Sequence, residues 1–247
     1  MAFTQKLIMR GAFWTIGAYG ASVGLRFGSN VLLSRLVVPE IFGIMLIINT
    51  LRNGIELISD VGIGQNIVHN PQGEAKSFRD TAWTIQILRG ALLFSALFLA
   101  AAPLGQLYQL PASAIELSAL ALAIMGGASV SVYLLQRRLQ FVRLNLFDLG
   151  VDFVGALLVI GLAFYSPTIW SLIAANILTA VFRTGMTYLL PEARNWLAWD
   201  RVHARQILSF GKWIYLSSLL AFLCASFDKL FLGQSIPLAL LGIYGLA

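Results

Sequence analysis

Charged and amide side chains interrupt several long apolar runs in this sequence, and these are the residues whose types and spacing could do chemistry. Arg26 and Asn30 lie one turn apart in the first run. Arg52, Glu56 and Asp60 follow at four-residue spacing in the second. Arg89 is in the third run, Asp148 and Asp152 are in the fifth, and Asp228 with Lys229 ends the seventh. An ionised group in hydrocarbon costs from about 2.5 to more than about 10 kcal/mol, so each is a candidate for facing a polar cavity or a partner. The chemistry on offer is recognition of charge.

Residues four apart lie nearly above one another on a helix, so Arg52, Glu56 and Asp60 are expected to form one polar stripe. Asp148 and Asp152 form a second, acidic one. Plainer roles stand beside the functional ones: Arg52 and Glu56 as an intrahelical ion pair, Asp60 as a solvated terminus, Arg89 as a side chain reaching back to the inner interface, and Asp148 as interfacial. Arg26 has no acidic residue within a turn of its own helix. At about 100° per residue it projects roughly opposite a small-residue stripe formed by Gly20, Gly24 and Gly28. The glycine face is expected to pack while Arg26 and Asn30 look into a cavity.

The elements that must position these groups follow from composition. Of 247 residues, 58% are apolar and 11% are charged, with a mean hydropathy of +0.80. Soluble domains carry roughly 25% charged residues, so the solvent that covers this chain is lipid. A bilayer core of about 30 Å needs roughly 20 apolar residues per helix. Seven complete runs meet that length, over residues 12–33, 41–63, 81–102, 115–135, 146–165, 168–190 and 208–227. An eighth starts near Leu238 and is still running at Ala247, which predicts a chain that stops short of a full span. Runs such as residues 91–99 are apolar on every side, unlike the alternating strands of a membrane barrel. The first run is read as a retained helix rather than a cleaved signal.

Orientation follows from the loops. With a cytoplasmic N-terminus, Lys6, Arg10, Lys76, Arg79, Arg137, Arg138, Arg143, Arg194, Arg201, Arg205 and Lys212 lie inside, against only Arg35 and Lys229 outside. The inner stretch after Leu190, with Trp196 and Trp199, reads as an amphipathic linker at headgroup level. An internal repeat supports a division there: Gly11 to Trp14 through Pro39 to Ile44 is echoed by Gly211 to Trp213 through Pro237 to Ile243. Chance agreement between two Leu-rich helices is the competing explanation.

Catalytic constellations are missing from the pattern. His69 and His203 lack partners at metal-ligand spacing, Cys224 is the single cysteine, and no phosphate-binding glycine loop is present. Neither an enzyme nor a cofactor-binding protein is expected. The net charge of +6 is explained by loop placement, without a nucleic-acid partner.

One stretch, Val38-Pro39-Glu40-Ile41-Phe42-Gly43-Ile44, is followed by Asp60-Val61-Gly62-Ile63-Gly64-Gln65-Asn66-Ile67-Val68. Later come Ser209-Phe210-Gly211, Ser217-Ser218, Phe227-Asp228-Lys229, Leu232-Gly233 and Leu241-Gly242-Ile243-Tyr244. In this order they resemble the polysaccharide transporter (oligosaccharide flippase) branch of the multidrug/oligosaccharidyl-lipid/polysaccharide exporter superfamily, in its N-terminal half. The resemblance implies an all-α polytopic membrane protein: a first six-helix bundle over residues 1–190, a cytoplasmic linker over 191–207, and the start of a second pseudosymmetric bundle over 208–247. It implies movement of undecaprenyl-diphosphate-linked oligosaccharide units across the bacterial inner membrane by alternating access. Partners would be the lipid-linked oligosaccharide, membrane lipids and a polysaccharide polymerase.

Guanidinium groups meet phosphate oxygens in a bidentate fork. The resemblance therefore casts Arg26, Arg52 and Asn30 as diphosphate ligands, and Glu56 and Asp152 as sites for a coupling cation or proton. Two alternatives remain at this stage: a cation-coupled exporter of drugs or small solutes, which calls for an acidic cavity, and an inactive truncated piece. Cysteine labelling of single-cysteine variants is expected to place position 112 outside and position 142 inside; the opposite pattern would overturn the topology.

Overall fold

The computed structural model describes the backbone of residues 2–246 and the side chains of residues 14–245. The side chains of Lys6 and Arg10, and the residues from Gly11 to Phe13 that open the repeat, lie outside the described side chains, as does Ala247. All regular structure among the described residues is helical: α1 (Ala2–Leu36), α2 (Pro39–Ile58), α3 (Ile63–His69), α4 (Lys76–Tyr108), α5 (Ala112–Gly126), α6 (Ser131–Arg137), α7 (Phe141–Tyr165), α8 (Ile169–Thr187), α9 (Arg201–Ser235) and α10 (Leu238–Leu246). Helices suit lipid because they satisfy each backbone group within one segment.

Among the described residues, α2, α4, α7, α8 and α9 are each long and apolar enough to cross a membrane. Taken together, α5 and α6 are also long and apolar enough, with a bend of 59° between them. The chain is a multi-pass membrane protein. The first expected span falls in α1, which has the length but is not among the helices that are also apolar enough; its glycines, Arg26 and Asn30 dilute the apolar content.

Two expected runs are broken. The second parts at residues 59–62, where Gly62 takes φ +64, a left-handed conformation that favours glycine. The Asp60 carboxylate accepts the Gly62 amide at 2.9 Å. Asp60 thus lies beyond the end of α2 at Ile58 and leaves the predicted stripe, because its side chain serves the turn. The fourth run parts between Gly126 and Ser131. The seventh is longer than expected: α9 starts at Arg201, where Asp200 caps it by accepting the Val202 and His203 amides. Residues 201–207 therefore belong to the helix. Residues 193–200 have no regular secondary structure and lie along α4, with the amides of Trp196, Ala198 and Asp200 donating to Asp80, Thr84 and Thr81.

Helices meet in the order α1 on α7, α7 on α8, α8 on α5 and α5 on α4, with α9 and α10 against α2. The closest approaches are at small residues, as expected where lipid supplies no hydrophobic drive between helices. A Cβ on Gly90 would lie 2.8 Å from the Gly126 Cα, so α4 and α5 touch backbone to backbone. At the end away from the basic loops, a Cβ on Gly43 would lie 2.0 Å from the Leu238 carbonyl, and one on Gly242 2.0 Å from the Pro39 carbonyl. Each carbonyl sits four residues before the other glycine, so the crossing of α2 and α10 is nearly reciprocal. The two stretches aligned by the repeat touch each other there.

The glycine stripe of α1 behaves differently from expectation. Gly17, Gly20, Gly24 and Gly28 have nothing within 4 Å of an added Cβ, whereas Ser29 and Leu33 are buried on the opposite side. The stripe is open, and the packed face lies beside Arg26.

The loops at the basic end are tied together. Arg137 donates to the carbonyls of Ile67, Val68 and Asn70 at the C-terminal end of α3. Glu192, at φ +59, pairs with Arg79 at 2.9 Å and Arg138 at 2.7 Å. Those cations, Arg138 foremost through its hydrogen bond, hold the Glu192 carboxyl below its ordinary range.

Gly43→Val is expected to lower the thermal unfolding midpoint of the detergent-solubilised chain, at an overpacking cost of about 1–3 kcal/mol. Gly17→Ala, which meets open space, is expected to leave the midpoint unchanged or raise it. Equal behaviour of the two variants would contradict the close crossing.

Candidate functional site

The candidate residues are charges carried by five helices, α1, α2, α4, α7 and α8. On α1, Arg26 Nη2 lies 3.2 Å from Asp152 Oδ2 on α7. The partner that is missing within a turn of Arg26 is supplied 126 residues away. The contact is one-sided: the Arg26 side chain is 70% exposed and that of Asp152 23%. Asn30 is also exposed and makes no hydrogen bond among the described residues. One turn before Asp152, Asp148 accepts from Arg183 of α8 at 3.0 Å, and the Arg183 guanidinium lies 5.6 Å from the Phe147 ring centre. The acidic stripe of α7 thus serves two neighbours, α1 and α8.

Arg183 is a functional candidate absent from those drawn from sequence. Its signal is the same one that marks Arg26, a guanidinium within an apolar run. What the sequence does not display is its pairing with Asp148.

On α2 the expected ion pair between Arg52 and Glu56 does not form: no nitrogen–oxygen contact within 4.0 Å joins them, and Arg52 makes no hydrogen bond or ion pair among the described residues. Arg89 takes the place beside Glu56. It reaches from α4 to the end of α2, where its Nε donates to Ser59 Oγ at 3.2 Å and its Nη2 donates to the Glu56 carbonyl. The last carbonyls of a helix lack partners and carry the negative end of its dipole. A guanidinium there satisfies both needs, so Arg89 turns inward and does not snorkel outward.

These residues surround a cavity of about 400 Å³ at the break between α2 and α3. Its walls come from α2 and α3, α4, α5 and α6, and α8, and they include Glu56, Asp60, Arg89, Tyr133 and Arg183. Arg26, Asn30, Arg52 and Asp152 are not among the lining residues. The structure therefore separates the sequence-derived candidates into an exposed pair on α1 and α7, a lone Arg52, and a cavity that contains Glu56.

The broken span next to the cavity is closed by side chains. Gln86 Nε2 donates to the Gly126 and Ala128 carbonyls at 3.2 and 2.8 Å, and Thr184 Oγ1 donates to the Ile124 carbonyl at 3.2 Å. Non-helical backbone at membrane depth is tolerated only with such partners or beside a polar cavity. Among the described residues, no three His, Cys, Asp or Glu side chains are grouped so as to hold a metal ion.

The sequence profile of the family described as "Polysaccharide biosynthesis protein" matches residues 32–247. The chain is also similar to the Succinoglycan biosynthesis transport protein ExoT of Rhizobium meliloti (strain 1021). The two are 25% identical over 210 residues, which make up 83% of this chain and 42% of that protein. The chain thus spans less than half the length of that curated relative. No solved structure matches it significantly.

Arg89→Ala is expected to free the Glu56 carbonyl and Ser59 hydroxyl, at a cost of about 1–3 kcal/mol for unsatisfied polar groups. The midpoint of thermal unfolding should fall and amide exchange at residues 60–63 should quicken, with partial recovery in Arg89→Lys. An unchanged midpoint and exchange rate would show that the guanidinium does not hold the break.

Proposed function

The chain belongs to the family of polysaccharide biosynthesis proteins, and from that premise we propose that it serves polysaccharide export, as part of a flippase for isoprenoid-diphosphate-linked oligosaccharide in a bacterial inner membrane. The proposed topology puts the N-terminus and the basic loops in the cytoplasm, following the excess of Lys and Arg at that end. In the proposed division residues 1–190 form the first bundle and α9, from Arg201 on, opens a second, with residues 191–200 between them. The work is transport without bond-making, and its partners are the lipid-linked saccharide, the surrounding lipids and a polysaccharide polymerase.

One observation carries the reading: Arg26, in the middle of α1, is held by a single carboxylate contact, with most of its side chain uncovered. A guanidinium has five donors in a planar fork, and Asp152 uses few of them. A diphosphate offers more oxygens and more charge than the carboxylate, so it can displace Asp152 from Arg26. Asn30, one turn further along α1, adds an amide donor on the same side, while Arg52 on α2 stands apart from this pair as a separate guanidinium candidate. Once displaced, Asp152 is an uncompensated carboxylate in the span, open to a coupling cation or proton, and we assign the coupling role to it. Glu56, on the cavity wall, is the second coupling candidate.

In cells whose export depends on the protein, Arg26→Ala is expected to reduce polymer export at least about tenfold, equivalent to about 1.4 kcal/mol. Membrane insertion should be unaffected, and Arg26→Lys should retain part of the function. Normal export by the alanine variant would remove the diphosphate site from the reading.

A further inference from the structure

The cavity at the break between α2 and α3 is built by other helices than the pair of Arg26 and Asp152, and it has a different charge balance. Its lining brings two guanidinium groups, Arg89 and Arg183, together with two carboxylates, Glu56 and Asp60. Neither carboxylate forms an ion pair among the described residues, and Arg183 has its own counter-ion, Asp148. A phosphate placed here meets Glu56 and Asp60 as well as the arginines. A cation meets the arginines as well as the carboxylates. Either ion gains from one set of charges and loses to the other. A neutral ligand with many hydroxyls loses to neither, because each hydroxyl donates to a carboxylate and accepts from a guanidinium or amide.

We propose that this cavity binds one neutral sugar ring of the saccharide cargo, an assignment that rests on the export reading above. Its volume of about 400 Å³ lies within the range of about 300–1,000 Å³ typical of small-molecule sites. Its polar groups are planar and held in place before any ligand arrives. Arg89 is fixed by Ser59 and the Glu56 carbonyl, and Arg183 by Asp148 and the Phe147 ring. Gln136 adds an amide that makes no side-chain hydrogen bond among the described residues and can serve hydroxyls on the same wall. Pre-set donors and acceptors reduce the ordering cost of binding. Tyr133 supplies a flat apolar surface for the C–H face of a pyranose. Its ring lies against Gly64, where an added Cβ would stand 2.6 Å from Cε1. The site therefore reads the sugar while the diphosphate is met elsewhere, so headgroup and saccharide are recognised by separate groups of helices.

Saturation-transfer NMR on the 247-residue chain in phosphatidylcholine nanodiscs, with D-glucose and D-galactose as probes, tests this. Transfer to ring protons is expected for the wild-type chain, together with loss by a factor of about ten or more, about 1.4 kcal/mol, in Glu56→Gln and in Gly64→Ala. The first variant removes an acceptor charge; the second pushes the Tyr133 ring into the space without altering any charge. Inorganic phosphate and sodium chloride are expected not to compete. No transfer in the wild-type chain, or displacement of the hexose by phosphate or by sodium at equal concentration, overturns the proposal. Unchanged transfer in both variants does so as well. Absent hexose binding alongside export that depends on Arg26 removes the sugar site and leaves the export reading standing. Hexose binding alongside export indifferent to Arg26 removes the diphosphate site and leaves the cavity standing.

Discussion

In lipid no solvent compensates an ionised side chain or an open backbone group, so the chain must supply every counter-group itself. That constraint organises this structure. Arg26 and Asp152 link α1 to α7, and Arg183 and Asp148 link α7 to α8. Arg89 links α4 to the end of α2. Apolar contact alone gives neighbouring helices little preference in a membrane, because lipid tails are as apolar as leucine. Each polar link therefore selects one neighbour and one rotation about the helix axis. Small residues then allow the selected helices to close, as at Gly90 with Gly126 and Gly43 with Gly242.

Interrupted helices follow from the same constraint. The gap after α2 exposes the Glu56 carbonyl, and the gap after α5 exposes those of Gly126 and Ala128. Their partners, Arg89 and Gln86, are one turn apart on α4. A single face of α4 thus closes both gaps, and the space between them is the polar cavity. The cavity and the breaks are one feature: the breaks provide polar walls, and the walls keep the broken backbone in a polar setting.

Much of the fold was legible because hydropathy runs and loop charges are local properties. The expected positions of the spans agree with α2, α4, α7, α8 and α9 to within helix ends and the breaks. Orders of contact were not legible. Arg26 lacks an acid on its own helix, and nothing near it in sequence points to Asp152 on α7. Arg52 and Glu56 have the spacing of an ion pair, yet Arg89 from another helix takes the position beside Glu56. The glycine stripe of α1 shows how spacing marks a face without saying what covers it: its opposition to Arg26 holds, but the stripe is left open. Asp60 left its stripe because a turn of the backbone two residues later needed its carboxylate. In each case the local pattern was present and a distant partner decided its use.

The α7 helix is where the two charge systems meet. Asp148 and Asp152 are one turn apart, and each is neutralised by an arginine from a different helix. Like charges at that spacing repel, and the repulsion is stronger when water is excluded. On the proposed reading, a diphosphate that takes Arg26 away leaves Asp152 unpaired beside Asp148, and Asp148 is the group that holds Arg183 on the cavity wall. The two ion pairs thus share one turn of α7, so on that reading a change at the exposed pair acts on Asp148 before any group of the cavity wall.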